Sequence, residues 1–426
     1  MTVPAPAPPA GGPLAGLRVV EVASFVAGPL GGMTLAQLGA DVIRVDPLGG
    51  AADYTRWPVA ASGTSIYWAG LNKAKRSLQA DLRSPEAQEL ITRLITESGP
   101  GGGIVLTNAP RPWLSYETLF RLRPDLIHLR IDGYPGGGPA VDYTVNAELG
   151  FPLVTGPEEH AGPVNHVLPA WDVACGLYAA IGLLSADRQR RLTGQGQQLT
   201  VALSDVALAT AGNLGFLGEA QVNGVTRPKV GNHLYGSFAR DFAARDGGRV
   251  MVVALTRRHW ADLVAVAGVQ APVAALEAAL GADFSAEADR YTYREALAAL
   301  LQRWFAEHDL AEIRESLGRT SVLWSVYRSF TDVVADAGTG ANPMIGLVDQ
   351  PGVGQYLAPG SPIRTGGSDG QPSGREPRHQ PVRAPVLGEH SADILGGDLG
   401  LSEDEVQDLC QRGVVATATP SPQSTR

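Results

Sequence analysis

Two cysteines in 426 residues, Cys175 and Cys410, are too few for a disulfide framework or a zinc cluster. They suit a reducing compartment such as the cytoplasm. Charge is also scarce: charged residues make up 18% of the chain, the net charge is -9 and the pI is about 5.4. That balance disfavours nucleic acid or an anionic membrane as the main partner and leaves room only for a local basic patch. No apolar run reaches the roughly 20 residues that span a bilayer. The opening "MTVPAPAPPAGGP" lacks a basic segment followed by an apolar run, so no secretory signal is expected there. Its composition predicts a disordered tail over residues 1–13.

Familiar catalytic signatures are missing as well. The turn "SFVAGPLGGMTLAQLGAD" places Gly28, Gly31 and Gly32 at spacings unlike the G-x-G-x-x-G of a dinucleotide site, and Pro29 sits inside it. A phosphate-gripping lysine of the Walker type, an H-E-x-x-H pair and a nucleophile elbow are absent.

What is present is core-forming sequence, 44% hydrophobic. The first third alternates strand and helix. "LRVVEVAS", "DVIRVD", "GIVLTN" and "LIHLRI" read as strands. "GPLGGMTLAQLGA", "SPEAQELITRLI" and "SYETLFRLR" read as helices, the second with Ser84 as N-cap and Pro85 at its first position. Such units imply a parallel sheet covered by helices, an α/β class with a Rossmann-like large domain. "TGQGQ" then turns into the strand "QLTVALS". After about residue 220 the texture loosens, and residues 228–330 read as a smaller α+β domain containing the strand "GRVMVVAL" and the helix "REALAALLQRWFAEH". A Pro/Gly-rich crossing from Gly360 has no regular pattern. "LSEDEVQDLCQRG" is a final helix capped by Ser402, and residues 417–426 read as a second disordered tail.

Two features invite chemistry. In "LNKAKRSLQADL" the cluster Lys73, Lys75 and Arg76 is either a solvated turn or a cradle for phosphates. In "NHVLPAWDVACGLYAAIGLL", Asp172 precedes fourteen uncharged residues. It is placed to cap a helix, and an anion there is also favoured by the helix dipole and has the makings of a secluded nucleophile. Ala174, Cys175 and Gly176 are small enough to let a backbone or ligand approach closely. His166, Ser204 and the "GEH" ending at His390 are weaker candidates.

Taken in order, "GLRVVEVASFVAGPLGGMTLAQLGADVIRVD", "LNKAKRSLQADL", the Asp172 segment with "TGQGQQLTVALSD", and "APVLGEHSADIL" resemble the successive motifs of class III CoA-transferases, a family that includes the α-methylacyl-CoA racemases. The resemblance implies a Rossmann-like large domain built from both ends of the chain, here 14–220 and 340–416. It implies a small domain from the middle and an interlocked homodimer. It makes Asp172 the nucleophile. Ser24, Phe25, Val26, Ala27, Lys75, Arg76 and Asn108 fall on CoA-binding positions, while Pro47 stands where some members carry an adenine-contacting arginine. Arg56, with Tyr143, is assigned to the free carboxylate of the substrate. The two proton-transfer groups of the racemases are replaced by Val141 and Gly236, so racemisation lacks a base. No cofactor beyond the CoA of the substrate and no metal is expected.

Narrower matches within the family, "DYTRWPV", "WAGLNKAKRS", "VDYTVN" and "VNHVLPAWD", point to CoA transfer between the two carboxyl groups of one branched unsaturated dicarboxylate. So does the absence of a glycine run between Asn223 and Phe242. A CoA-transferase acting between two molecules (succinyl, itaconyl or oxalyl type) and a non-catalytic acyl-CoA-binding protein are the alternatives.

Overall fold

The computed structural model describes residues 12–337, 342–363 and 381–418. The chain forms two compact units, one drawn from Met1–Leu149, Leu168–Leu214 and Val334–Arg426, the other from Gly150–Val167 and Gly215–Val333. Residues 150–167, expected in the larger domain, therefore group with the smaller one. Much of the irregular crossing after Gly360 and the last residues of the C-terminal tail lie outside the described residues.

In the larger unit the chain runs β1 (Arg18–Val22), α1 (Ala27–Gln37), β2 (Asp41–Asp46), α2 (Ile66–Leu71), β3 (Arg76–Ala80), α3 (Pro85–Thr96) and β4 (Ile104–Thr107). It continues through α4 (Tyr116–Phe120), β5 (Ile127–Asp132) and α5 (Asp142–Glu148), and after the short α6 (Phe151–Val154) of the other unit it resumes with α7 (Ala170–Thr193), β6 (Gln197–Ala202) and α8 (Leu203–Asn213). The seven-stranded sheet has the order C-terminal strand Val415–Ala416, then β3-β2-β1-β4-β5-β6. Every pairing is parallel except that of the C-terminal strand with β3. The strands read as near-continuous apolar runs because helices cover both faces. On one face Val20, Ile43, Leu78 and Val105 form a core with Ile91 and Leu94 of α3 and with Ile394 and Leu409 near the C-terminus.

On the other face α1 packs along α7. Their contact needs glycine on both sides. A Cβ on Gly176 would sit 2.7 Å from the Ala27 carbonyl oxygen, and one on Gly31 would sit 3.0 Å from the Gly176 carbonyl oxygen. The small residues after Asp172 thus admit a neighbouring backbone. Helix α7 runs to Gly194, whose left-handed φ of 74° ends it.

The smaller unit holds an antiparallel sheet of β7 (Phe238–Ala243), β8 (Arg249–Ala254) and β9 (Leu323–Val326). Helices pack on it through aromatic residues, including Phe242 stacked on Phe305 at 4.3 Å. The last helix, Glu403–Gln411, is capped by Ser402 in a reciprocal box with Glu405. Among the described residues no helix is long and apolar enough to cross a membrane.

Gly176→Val would drive two methyl groups toward the Ala27 carbonyl. Overpacking of this kind costs about 1–3 kcal/mol. The variant should lose several degrees of melting temperature and a larger share of activity than Gly182→Ala in the same helix. Calorimetry and turnover measured together check this.

Candidate active site

In an open parallel sheet of order 3-2-1-4-5-6, ligands bind beyond the carboxyl ends of the strands where the winding reverses. Here that point lies between β1 and β4, which pair up to Val22 and Thr107. Just past these ends, Ser24 donates its N–H to Asn108 Oδ1 at 3.1 Å, and Asn108 Nδ2 donates to the Ser24 carbonyl at 2.9 Å. The turn Ser24–Ala27 and Asn108 are thereby joined. Phe25 adopts a φ of 69° and its ring is exposed.

Asp172 is not the N-cap of α7. Pro169 holds that position and Asp172 is the third helical residue. The capping is done from α5: Asp142 Oδ2 accepts the N–H groups of Trp171 at 2.7 Å and Asp172 at 3.2 Å. A distant carboxylate satisfies the orphan donors of the first turn, so the Asp172 side chain need not. Burial, followed by the negative charge of Asp142 and opposed by Arg56, raises the Asp172 carboxyl to about 6.

Arg56 makes no ion pair or side-chain hydrogen bond among the described residues. Its guanidinium lies 5.7 Å from the Phe25 ring centre and 5.4 Å from that of Tyr67, a cation–π arrangement. Burial pushes the Tyr67 phenol up to about 12, with Arg56 opposing and Asp172 adding to the rise, so it remains a donor. Burial and Asp172 push the Cys175 thiol up to about 12, which leaves it inert at neutral pH. Tyr143 follows Asp142 in α5 and is exposed.

The basic cluster is placed differently from expectation. Lys75 is buried, and its Nζ is used by Glu21 at 2.8 Å, the Pro29 carbonyl at 2.9 Å and Asn72 at 2.8 Å. Arg76 is clamped by Asp41 and Asp398 at 2.6 to 2.8 Å. Both cations thus already meet carboxylates of the fold, Lys75 in a fully buried pair with Glu21 and Arg76 in a half-buried one with Asp41 and Asp398. Of the weaker candidates, Ser204 lies inside α8 and does not cap it. His390 accepts the Ser77 N–H at its ring, and His166 belongs to the smaller unit.

Sequence reasoning missed Asp142 and Tyr67. A signal for Asp142 existed: a helix opened by "LPAW" has no capping side chain of its own and demands an acceptor from elsewhere.

The model of CoA-transferase family III matches residues 14–390, and the chain belongs to this family. It is 50% identical over 410 residues to the 2-methylfumaryl-CoA isomerase of Chloroflexus aurantiacus, covering 95% of this chain and 98% of that protein. It is 28% identical to the succinyl-CoA:mesaconate CoA-transferase of Haloarcula hispanica, over 90% of this chain and 96% of that one. A solved CAIB/BAIF family protein from Brucella suis superposes with a TM-score of 0.72 at 28% identity, covering 91% of this chain and 99% of that chain.

The raised Asp172 carboxyl predicts a pH dependence. Activity should rise through about pH 6 as the carboxylate ionises, then level off. For stability the sign is opposite. The unfolded side chain ionises near the ordinary aspartate value of 3.8 and the folded one near 6, so this residue makes the fold less stable as pH rises between those values. Asp172→Asn should therefore be inactive yet melt higher than the unmodified protein at pH 7. A thermal melt at about pH 3, below both values, where the difference should vanish, is the control.

Proposed function

We propose that this chain isomerises 2-methylfumaryl-CoA (mesaconyl-CoA) by moving CoA from one carboxyl carbon to the other of the same molecule, with Asp172 as the carrier. The observation that carries the reading is a nucleophile-ready carboxylate, released from capping by Asp142, within the electrostatic reach of an arginine that has no carboxylate partner among the described residues. The full-length similarity to the Chloroflexus isomerase supplies the substrate.

Asp172 attacks the thioester carbonyl, and CoA leaves as thiolate to give a mixed anhydride. The thiolate attacks the aspartyl carbonyl, forming an aspartyl-CoA thioester and freeing the dicarboxylate. The other carboxylate of that acid then attacks the aspartyl carbonyl and expels the thiolate. The thiolate recaptures the acyl group at its new position, which restores Asp172. Each step exchanges activated acyl bonds of similar energy, so neither ATP nor a metal is called for. Water must be kept out, since anhydrides and thioesters hydrolyse.

In this reading the Ser24–Ala27 turn and Asn108 take the CoA arm, and Arg56 holds the spectator carboxylate beside Tyr143. Exposed Leu177, Tyr178 and Ile181 form an apolar stripe on α7, which supports burial against a second copy in the interlocked homodimer of the family. The two free thiols suit a cytoplasmic enzyme.

A second reading, transfer between two molecules, is favoured by the Haloarcula relative's name. Mesaconyl-CoA supplied with excess isotopically labelled free mesaconate separates the two. Retention of the acid, which faces the aspartyl thioester at high effective concentration, predicts little label in the isomerised product. Label equilibrating with the free pool during turnover would establish the intermolecular reaction instead. Asp172→Ala should abolish turnover under either reading. Near-normal turnover in that variant would remove Asp172 as the carrier.

A further inference from the structure

The turn after β1 holds a backbone conformation that its residue does not favour. Phe25 is left-handed at φ 69°, a region that side chains bearing a Cβ avoid. The residue is 41% exposed, so its phenyl group is only partly buried and full burial is not what holds the turn. Such outliers persist where the surroundings over-determine them, and they cluster at working sites.

The surroundings here are specific. The Phe25 N–H donates to Asp53 Oδ2 at 2.9 Å, and Asp53 is buried. Arg44, fully buried, donates Nη2 to both Asp53 oxygens, at 3.2 and 3.1 Å. The same guanidinium grips Asp46 at 2.9 Å and Asn72 at 3.0 Å. Asn72 is in turn bonded by Lys75, which pairs with Glu21. A network rooted in β1 and β2 therefore converges on the carboxylate that holds the strained amide. Asp53 has a second attachment: its carbonyl accepts the N–H of Arg56 at 3.2 Å, and the Arg56 guanidinium lies over the Phe25 ring.

We infer that Asp53 is a positioning residue for CoA transfer, clamping the left-handed Phe25 turn so that its backbone and ring, and the Arg56 side chain against that ring, are presented to the acyl-CoA. This rests on the reading that the turn receives the CoA ester.

A double-mutant cycle of Asp53→Asn and Phe25→Gly in the full-length chain tests it, with kcat/KM for 2-methylfumaryl-CoA and calorimetric binding of free CoA as readouts. Asn keeps an acceptor oxygen but loses the charge that Arg44 holds. On the Phe25 background, Asp53→Asn should lower kcat/KM by about tenfold or more and weaken CoA. On the glycine background the same change should cost less than about threefold, because glycine adopts the turn without a clamp. Equal losses on both backgrounds would overturn the proposal, since Asp53 would then act on the fold at large. Should Asp53→Asn fail to fold, Arg44→Lys, which keeps the charge but loses the multi-pronged grip, goes through the same cycle under the same criterion. CoA binding separates the two levels of inference. Coupling in CoA affinity without isomerase turnover would sink the proposed reaction but keep the clamp. Turnover without coupling would sink the clamp alone.

Discussion

Where α1 and α7 meet at Gly176, no side chain separates the two backbones. This contact fixes the distance between the start of α1, which carries the Ser24–Ala27 turn, and the first turn of α7, which carries Asp172. A contact through long side chains would leave both ends free to shift as rotamers change. A contact of carbonyl against Cα does not. Acyl transfer requires reacting atoms about 3–3.5 Å apart, and small misplacements are costly. The bland composition of the segment after Asp172 therefore has a geometric purpose.

Asp142 and Asp172 divide between them what one residue in the first turn often does alone. A carboxylate that caps its own helix has its oxygens occupied by N–H groups, which favours the anion and lowers its basicity. Asp142 takes the two amides, and Asp172 is raised to about 6. In the proposed reaction that basicity suits a group that is nucleophile in one step and leaving group in another. A much less basic carboxylate would attack poorly, and a much more basic one would be expelled slowly from the anhydride. A value near that of an ordinary dicarboxylic acid keeps the two directions of each exchange balanced.

The sequence displayed the elements whose causes are local. "DVIRVD" is β2 without a residue of error, and Ser84 and Ser402 cap the helices they precede. Gly176 was visible as a place for close approach, though not what would approach. What stayed hidden was set by remote partners. Asp172 looked like a cap because Asp142 lies thirty residues away. The ion pairs of Lys75 and Arg76 were not legible, because Glu21, Asp41 and Asp398 are brought to them only by sheet pairing and by the return of the C-terminus. The segment 150–167 lies in sequence between parts of the larger unit, yet it packs with the smaller one.

These hidden partners bear on selectivity. Burial makes a cation expensive unless it is paired, and around the β1–β2–β3 core Arg44, Lys75 and Arg76 each meet carboxylates. None is left to draw anions indiscriminately. Arg56 is held differently, by the faces of two aromatic rings, which attract the charge without neutralising it. A guanidinium in that setting is oriented in advance and keeps its donors for a carboxylate that it can grip with two parallel bonds. A lysine would offer a point charge with no preferred plane. Under the proposed function, recognition of the second carboxyl group, the property that separates a dicarboxylate from a simple fatty acyl chain, rests on this aromatic stack, one ring of which belongs to the left-handed Phe25.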